Sequence, residues 1–342
     1  MASTQFSGSL KIGFSAVLLC VTACNKSISN QDSAIQISTT LDYSIIGSEW
    51  PISSEVYPVS ESEFGRLSAL EVDEEGFLYI LDDLNNAISI ASPNGESASS
   101  LVFDAGEGPG EFQRVSDLSV VNSTIYILDG RLGRVVVYSR TLDFLYQFQV
   151  TGRPTRILSD GSHLFLTKFS PSNQGDIIHR YSFEGDEMGS FLPKPANWQE
   201  IAMTGNFGQL AKDDLGQIYY SYPTPYVIFK LSNTGTVLDS LVFDETVQVE
   251  GEKSPTGAVV ATQTLRGIAV HPKGYVFNVV RTQTDATIDI FDQEFNYISS
   301  LDSTSLGLVD FNLIKIDPSG ALYLGTNSPV PHVRKYTISI SK

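Results

Sequence analysis

The sequence predicts an all-β fold, a six-bladed β-propeller of four-stranded antiparallel blades whose ring is closed by an N-terminal strand. Three observations carry that expectation. One strand–turn–strand unit recurs six times, apolar residues alternate at period two, and only one short helical candidate, Asn197–Gly205, follows residue 24. Period two is the signature of strands with one face covered, whereas a helix would repeat its apolar residues every three to four positions.

The first element is a leader. In Met1–Ala23, Lys11 is the only charge, and Ile12–Ala23 is too short an apolar run for a spanning helix, so residues 1–23 fit a secretory signal peptide. The run ends in Val21-Thr22-Ala23-Cys24, which resembles the lipobox of bacterial lipoproteins, where cleavage precedes the cysteine and the cysteine carries the lipid. Ordinary cleavage after Ala23 is the alternative, but it leaves the placement of Cys24 unexplained. Cys24 is thus the expected lipidation site, and residues 24–40, rich in Ser, Asn, Gln and Thr, read as a tether.

Loss of the leader removes Cys20 and leaves one cysteine, which excludes an internal disulfide and zinc sites of the finger type. Stability then rests on the core, and a chain of about 300 residues buries roughly 75% of its unfolded surface. The net charge of −17 argues against nucleic acid as a partner, because phosphate binding needs clustered Lys and Arg. Contact with a membrane is expected through the N-terminal lipid alone.

Residues 41–342 form the expected propeller. The unit is clearest in Leu67–Glu96, where an apolar strand, an acidic Gly turn, a Tyr-centred strand, a polar turn and a third strand follow one another. Its second strand recurs as FLYILD, TIYILD, HLFLTK, QIYYSY, YVFNVV and ALYLGT, at steps of 39 to 58 residues. That spacing suits propeller blades and is too long for leucine-rich or helical-hairpin repeats. The sixth copy shows only three strands before Lys342, so residues within Ile35–Val59 are expected to supply the missing outer strand.

Three quoted pieces, GEGPGEF (106–112), DEEGFLYILDD (73–83) and LDGRLGRVVVY (128–138), resemble the repeat unit of NHL-type propellers. The chain resembles more closely the six-bladed NHL-like or TolB-like propeller lipoproteins of Bacteroidetes and their relatives. The resemblance covers Phe64–Val150 in detail and later blades by pattern. It implies a fold and an envelope location, and it implies no activity.

The Gly-rich stretch is not a phosphate cradle. Counted from Gly106, both the P-loop and the dinucleotide fingerprint require Gly where Glu111 stands, and a strand rather than a helix follows. The stretch instead reads as the crossing from the outer strand of blade one to the inner strand of blade two, with Phe112 wedged between blades. The same pattern, E-F-x-R-(L/V)-S-x-L, occurs one blade earlier around Phe64.

That alignment places Arg66 and Arg114 at equivalent positions, with Arg156 and Arg266 close to the same place in blades three and five and Lys212 more loosely in blade four. Guanidiniums converging at a channel mouth would bind a carboxylate or other anion in bidentate fashion. Pairing with local carboxylates such as Glu63, Glu111 or Asp117 is the competing expectation. The histidines, His163, His179, His271 and His332, fall at four different repeat positions and predict no shared metal site, with His271 expected in an exposed turn.

No catalytic residue, metal site or cofactor is assigned. A Gly-x-Ser-x-Gly elbow and a sialidase Asp-box are absent, and Tyr79, Tyr126, Tyr219 and Tyr323 are expected in the core. The expected function is that of a monomeric, lipid-anchored module at the cell envelope, most simply the outer membrane, binding a peptide, a glycan or a partner envelope protein. The alternative is a lactonase-like hydrolase or lyase, using Ca²⁺ or another divalent ion held by channel-mouth carboxylates such as Asp82, Asp83 and Asp129.

Overall fold

The computed structural model describes residues 45–49, 64–95, 97–204, 207–242, 251–253, 259–261, 263–282 and 284–338. The expected signal peptide, Cys24 and the tether lie outside the described residues. Strand β1 is Ile45–Glu49. Blade one comprises β2 (Leu67–Val72), β3 (Leu78–Asp82), β4 (Ala87–Ala91) and β5 (Ser97–Val102). Blade two comprises β6 (Val115–Val121), β7 (Thr124–Asp129), β8 (Arg134–Ser139) and β9 (Phe144–Gln149). Blade three comprises β10 (Arg153–Ser159), β11 (Leu164–Phe169), β12 (Asp176–Tyr181) and β13 (Glu187–Pro193).

The short helix α1 (Trp198–Met203) leads into blade four, made of β14 (Gln209–Lys212), β15 (Ile218–Ser221), β16 (Val227–Leu231) and β17 (Val237–Val242). A hairpin of β18 (Gly251–Lys253) and β19 (Val259–Ala261), not anticipated from the repeat, precedes blade five. Blade five comprises β20 (Gln263–Val270), β21 (Val276–Thr282), β22 (Ala286–Phe291) and β23 (Tyr297–Asp302). Blade six holds β24 (Leu313–Ile316), β25 (Ala321–Thr326) and β26 (His332–Ile338).

Every blade is antiparallel, with neighbours in chain order in blades one to five, as the repeat predicts, and with β1 added beside β26 in the sixth sheet. Each inner strand touches the inner strand of the next blade, and β24 touches β2, so the inner layer runs full circle. Neighbouring blades cover both faces of the second and third strands. Accordingly β3 and β4 are buried at every residue, while the outer strand β9 is largely exposed. Phe112 is fully buried against Phe103 and Tyr138, the wedge that the crossing predicts. Burying such a ring contributes about 1.5–3 kcal/mol.

The acidic Gly turns have one internal logic. Asp73 accepts the Glu75 and Phe77 N–H groups on one oxygen and the Tyr79 hydroxyl, at 2.9 Å, on the other. Asp317 repeats this with Tyr323 at 3.0 Å, and Asp213 more loosely with Tyr219 at 3.4 Å. The tyrosines are therefore core residues with an anchored hydroxyl, and burial pushes all three phenols above their ordinary pKa.

In blade five His271 replaces the turn aspartate and Phe277 replaces the tyrosine. His271 is not exposed, contrary to the sequence expectation. It is 5% accessible, its Nδ1 accepts the Lys273 N–H at 3.0 Å, and its ring closes against Gly320 of blade six. A side chain at Gly320 would collide with it, and that glycine also needs a left-handed φ of +90°.

The seam between blades six and one has its own ties. The Leu67 N–H donates to Asn327 Oδ1 at 2.7 Å, Asn327 Nδ2 returns a bond to the Leu67 carbonyl at 3.0 Å, and Phe64, Leu67, Tyr323 and Val333 share one core cluster. On the outside β1 runs antiparallel to β26, with Ile45 opposite Ile338 and Glu49 opposite Arg334. Whether this strand holds the ring shut is a question of stability. Deletion of Ile35–Val59 is expected to lower the melting temperature by at least about 5 °C, since it bares the β26 edge. An unchanged melting curve would mean that the inner seam alone suffices.

Candidate functional site

The crossings and the turns between second and third strands gather at one end of the central channel. Buried carboxylates fix them. Asp82 Oδ2 accepts the Gly65 N–H at 2.7 Å, and its Oδ1 accepts the Arg66 N–H at 3.1 Å together with those of Leu84 and Asn85. Asp129 does the same in blade two for Gln113, Arg131 and Leu132. Both aspartates are fully buried. Their oxygens are engaged by backbone donors, and neither is among the residues that line the cavity at this end. Among the described residues no three His, Cys, Asp or Glu side chains gather as a metal set.

The GEGPGEF crossing is held by a residue that sequence reasoning passed over. Arg134, only 1% accessible, donates from Nη1 to the carbonyls of Glu107 at 2.8 Å and Gly108 at 3.2 Å, and from Nη2 to that of Glu111. Its ion pair with Asp129 lies at 3.8 Å. Glu111 folds back to accept the Gly108 N–H at 2.7 Å, so a side chain at Gly106 or Gly108 would displace that carboxylate. The available signal was Arg134 in the quoted LDGRLGRVVVY, five residues after the strand-ending Asp129; its burial was not readable.

At this end of the channel lies a cavity of about 490 Å³. Arg66, Arg114, Arg156 and Arg266 all line it, joined by Arg131 and Arg153, and Asp83 is the one acidic residue among the described lining residues. Lys212 does not belong to this set. It ends β14 and faces the cavity at the opposite mouth, of about 500 Å³, with Asp73, Glu74, Asp213 and Asp214. The charged residues of the two mouths thus have opposite predominant signs.

A repeated irregularity sorts the arginines into two levels. Inner strands β2, β6, β10 and β20 each carry a bulge near their start, at Ser68, Ser116, Thr155 and Arg266 respectively. Counted from the bulge, the equivalent of Arg66 and Arg114 is Arg153, not Arg156. Arg66, Arg114 and Arg153 make an exposed rim. Arg156 and Arg266 are half-buried and also line the constriction of about 40 Å³ below, together with Asp117 and Lys315. Bulges re-aim side chains and break strand pairing beside binding sites.

The pairing is uneven. Asp83 holds Arg66 by two bonds of 2.6 and 2.7 Å and reaches Arg114 at 3.4 Å. Its hydrogen bonds, and then its charge, raise the Arg66 pKa. Glu111, one expected partner, caps backbone instead, and Glu63 lies outside the described residues. Arg156 bonds Gln209 at 3.1 Å and the Thr155 carbonyl at 3.0 Å, while Arg266 bonds the Thr264 hydroxyl at 3.0 Å. Burial, then the neighbouring charges of Arg281 and Arg156, lower the Arg266 pKa.

Fold and geometry together define a six-bladed propeller with a cationic mouth. The chain belongs to the 6-bladed beta-propeller family DUF5128, which it matches over residues 59–313. No curated protein matches it in sequence. A Bacteroides fragilis protein described as exported is similar in structure, with 13% identity, a TM-score of 0.63, and coverage of 88% of this chain and 96% of that one. A member of the DUF4221 family from Bacteroides vulgatus shows 9% identity and a TM-score of 0.61, covering 88% and 99%. Virginiamycin B lyase from Staphylococcus aureus shows 11% identity and a TM-score of 0.50, covering 88% and 90%. At such identities the likeness shows the fold alone.

Two predictions separate structural from surface charge. Arg134→Met strands three carbonyls and is expected to cost about 3 kcal/mol or more in urea unfolding, whereas Arg114→Gln on the rim should cost less than about 1 kcal/mol. Equal costs would contradict the assignment. Asp117 accepts the Ile157 N–H at 2.9 Å, and burial raises its pKa against the opposing pull of Arg156. A raised native pKa means that the folded state binds its proton more tightly, so stability falls as pH rises above the ordinary carboxylate range. Asp117→Asn is expected to flatten that part of the stability–pH profile, and an unchanged slope would refute the shift.

Proposed function

We propose that this chain is an exported, lipid-anchored binding module of the cell envelope that captures a carboxylate-bearing ligand at its arginine-lined mouth. One observation carries the binding reading: among the described residues, six arginines from blades one, two, three and five line one cavity with a single carboxylate among them. Surface arginines that serve only solubility are interspersed with acids, and here the acids are concentrated at the other mouth. A cavity of this size falls within the range of small-molecule sites. The lipobox and the exported Bacteroides fragilis relative support the envelope location.

The reading favours capture over metal-dependent hydrolysis because the mouth offers fixed cations instead of a free carboxylate set. A peptide, glycan or partner protein would be recognised here through its acidic groups. Arg156→Gln with Arg266→Gln is expected to abolish the thermal stabilisation that millimolar carboxylates give the parent chain, while leaving its circular-dichroism spectrum intact. Undiminished stabilisation in the double variant would remove the mouth as the site.

A further inference from the structure

The chemistry of the ligand can be narrowed further, on the basis of the anion-binding reading. Cationic groups face the cavity from opposite sides of the ring. Arg114 and Arg131 come from blade two, and Arg266 comes from blade five, three blades away in a six-bladed circle. At the rim counter-charge is confined to one side, where Asp83 engages Arg66 and Arg114, while on the floor Asp117 acts on Arg156 and Asp310 on Arg266 through space. The deeper Arg156 and Arg266 have only neutral hydrogen-bond partners. The wall at blades three and four is apolar, with Phe169 and Phe207 edge to face at 5.7 Å and the Arg153 guanidinium 5.4 Å above the Phe169 ring.

A lone carboxylate satisfies one or two guanidiniums in a fork and leaves the charge across the mouth unanswered. We propose that the mouth is built for a small organic polyanion, a planar or aromatic body bearing two or more carboxylates set apart. One carboxylate meets Arg156 and Arg266 on the cavity floor, a second meets the rim arginines, and the flat body lies against the phenylalanine wall. Aromatic rings and stacked guanidiniums favour planar partners over compact ones.

Calorimetric titration of the chain at low salt with acetate, benzoate, isophthalate, trimesate and inorganic phosphate tests this. Isophthalate is expected to bind at least about tenfold tighter than benzoate, the equivalent of one added charge-assisted hydrogen bond. Benzoate is expected to bind tighter than acetate, and trimesate at least as tightly as isophthalate. Arg266→Gln should bring the isophthalate-to-benzoate ratio close to one. Isophthalate no tighter than benzoate, or a ratio that survives Arg266→Gln, would overturn the polyanion. Acetate and phosphate binding as tightly as isophthalate would overturn the planar body while leaving anion binding in place. If none of these anions bound, the anion-binding reading itself would fall with the inference.

Discussion

The cationic mouth hangs from a buried carboxylate at the end of a second strand. Asp82 and Asp129 each take backbone N–H groups from two places at once, the turn that follows them and the crossing that leads into their own inner strand. An ionised carboxylate with several backbone donors is among the stronger neutralising arrangements available inside a protein. It fixes the peptide that carries Arg66 and the one adjoining Arg114, and in the same step it positions Arg131. Removing the carboxylate would free the polar groups of both segments, so the rim of the cavity and the start of the inner strand depend on one side chain per blade.

Blades lacking that aspartate solve the same problem differently, which explains why the mouth is not six-fold symmetric. At the closing seam Asn327 supplies both an acceptor and a donor to Leu67. Blade four has no bulge in its inner strand and presents Gln209 instead of an arginine. Blade six presents Asn312 and Asn327. Positive charge is therefore arranged around only part of the circumference, and the neutral amides of blades four and six leave that side able to hydrogen-bond without adding charge. A ring with arginine in every blade would repel itself more strongly than the observed one, in which burial and then the charges of Arg281 and Arg156 already lower the proton affinity of Arg266.

What the sequence disclosed follows from which physics repeats. Strand alternation, Gly turns and the Phe64/Phe112 register recur because blades must stack on one another, and they disclosed the fold and four of the six arginines that line the mouth. The bulge positions were hidden, because one extra residue in a strand leaves no compositional mark at Ser68, Ser116 or Thr155. With that marker unreadable nothing fixed the register of blades three and four, so Arg156 was placed near the level that Arg153 occupies, and Lys212, at the far end of β14, was aligned to a mouth it does not face. Arg134 was hidden for another reason. A charged residue reads as exposed until the carbonyls that satisfy it are known, and His271 before a proline misled in the same way.

The two mouths act as separate electrostatic environments even though the chain as a whole is strongly acidic. An inner strand of six or seven residues spans about 20 Å, whereas the Debye length at physiological ionic strength is about 8 Å. The carboxylates beside Lys212 are thus screened from an anion at the arginine mouth, which experiences its nearest guanidiniums almost alone. The constriction between the cavities, about 40 Å³ and crossed by Arg156, Asp117 and Lys315, is too small to pass an organic ligand. Net charge consequently governs how the whole molecule meets other surfaces, while the local arrangement of arginines governs what is held at its mouth.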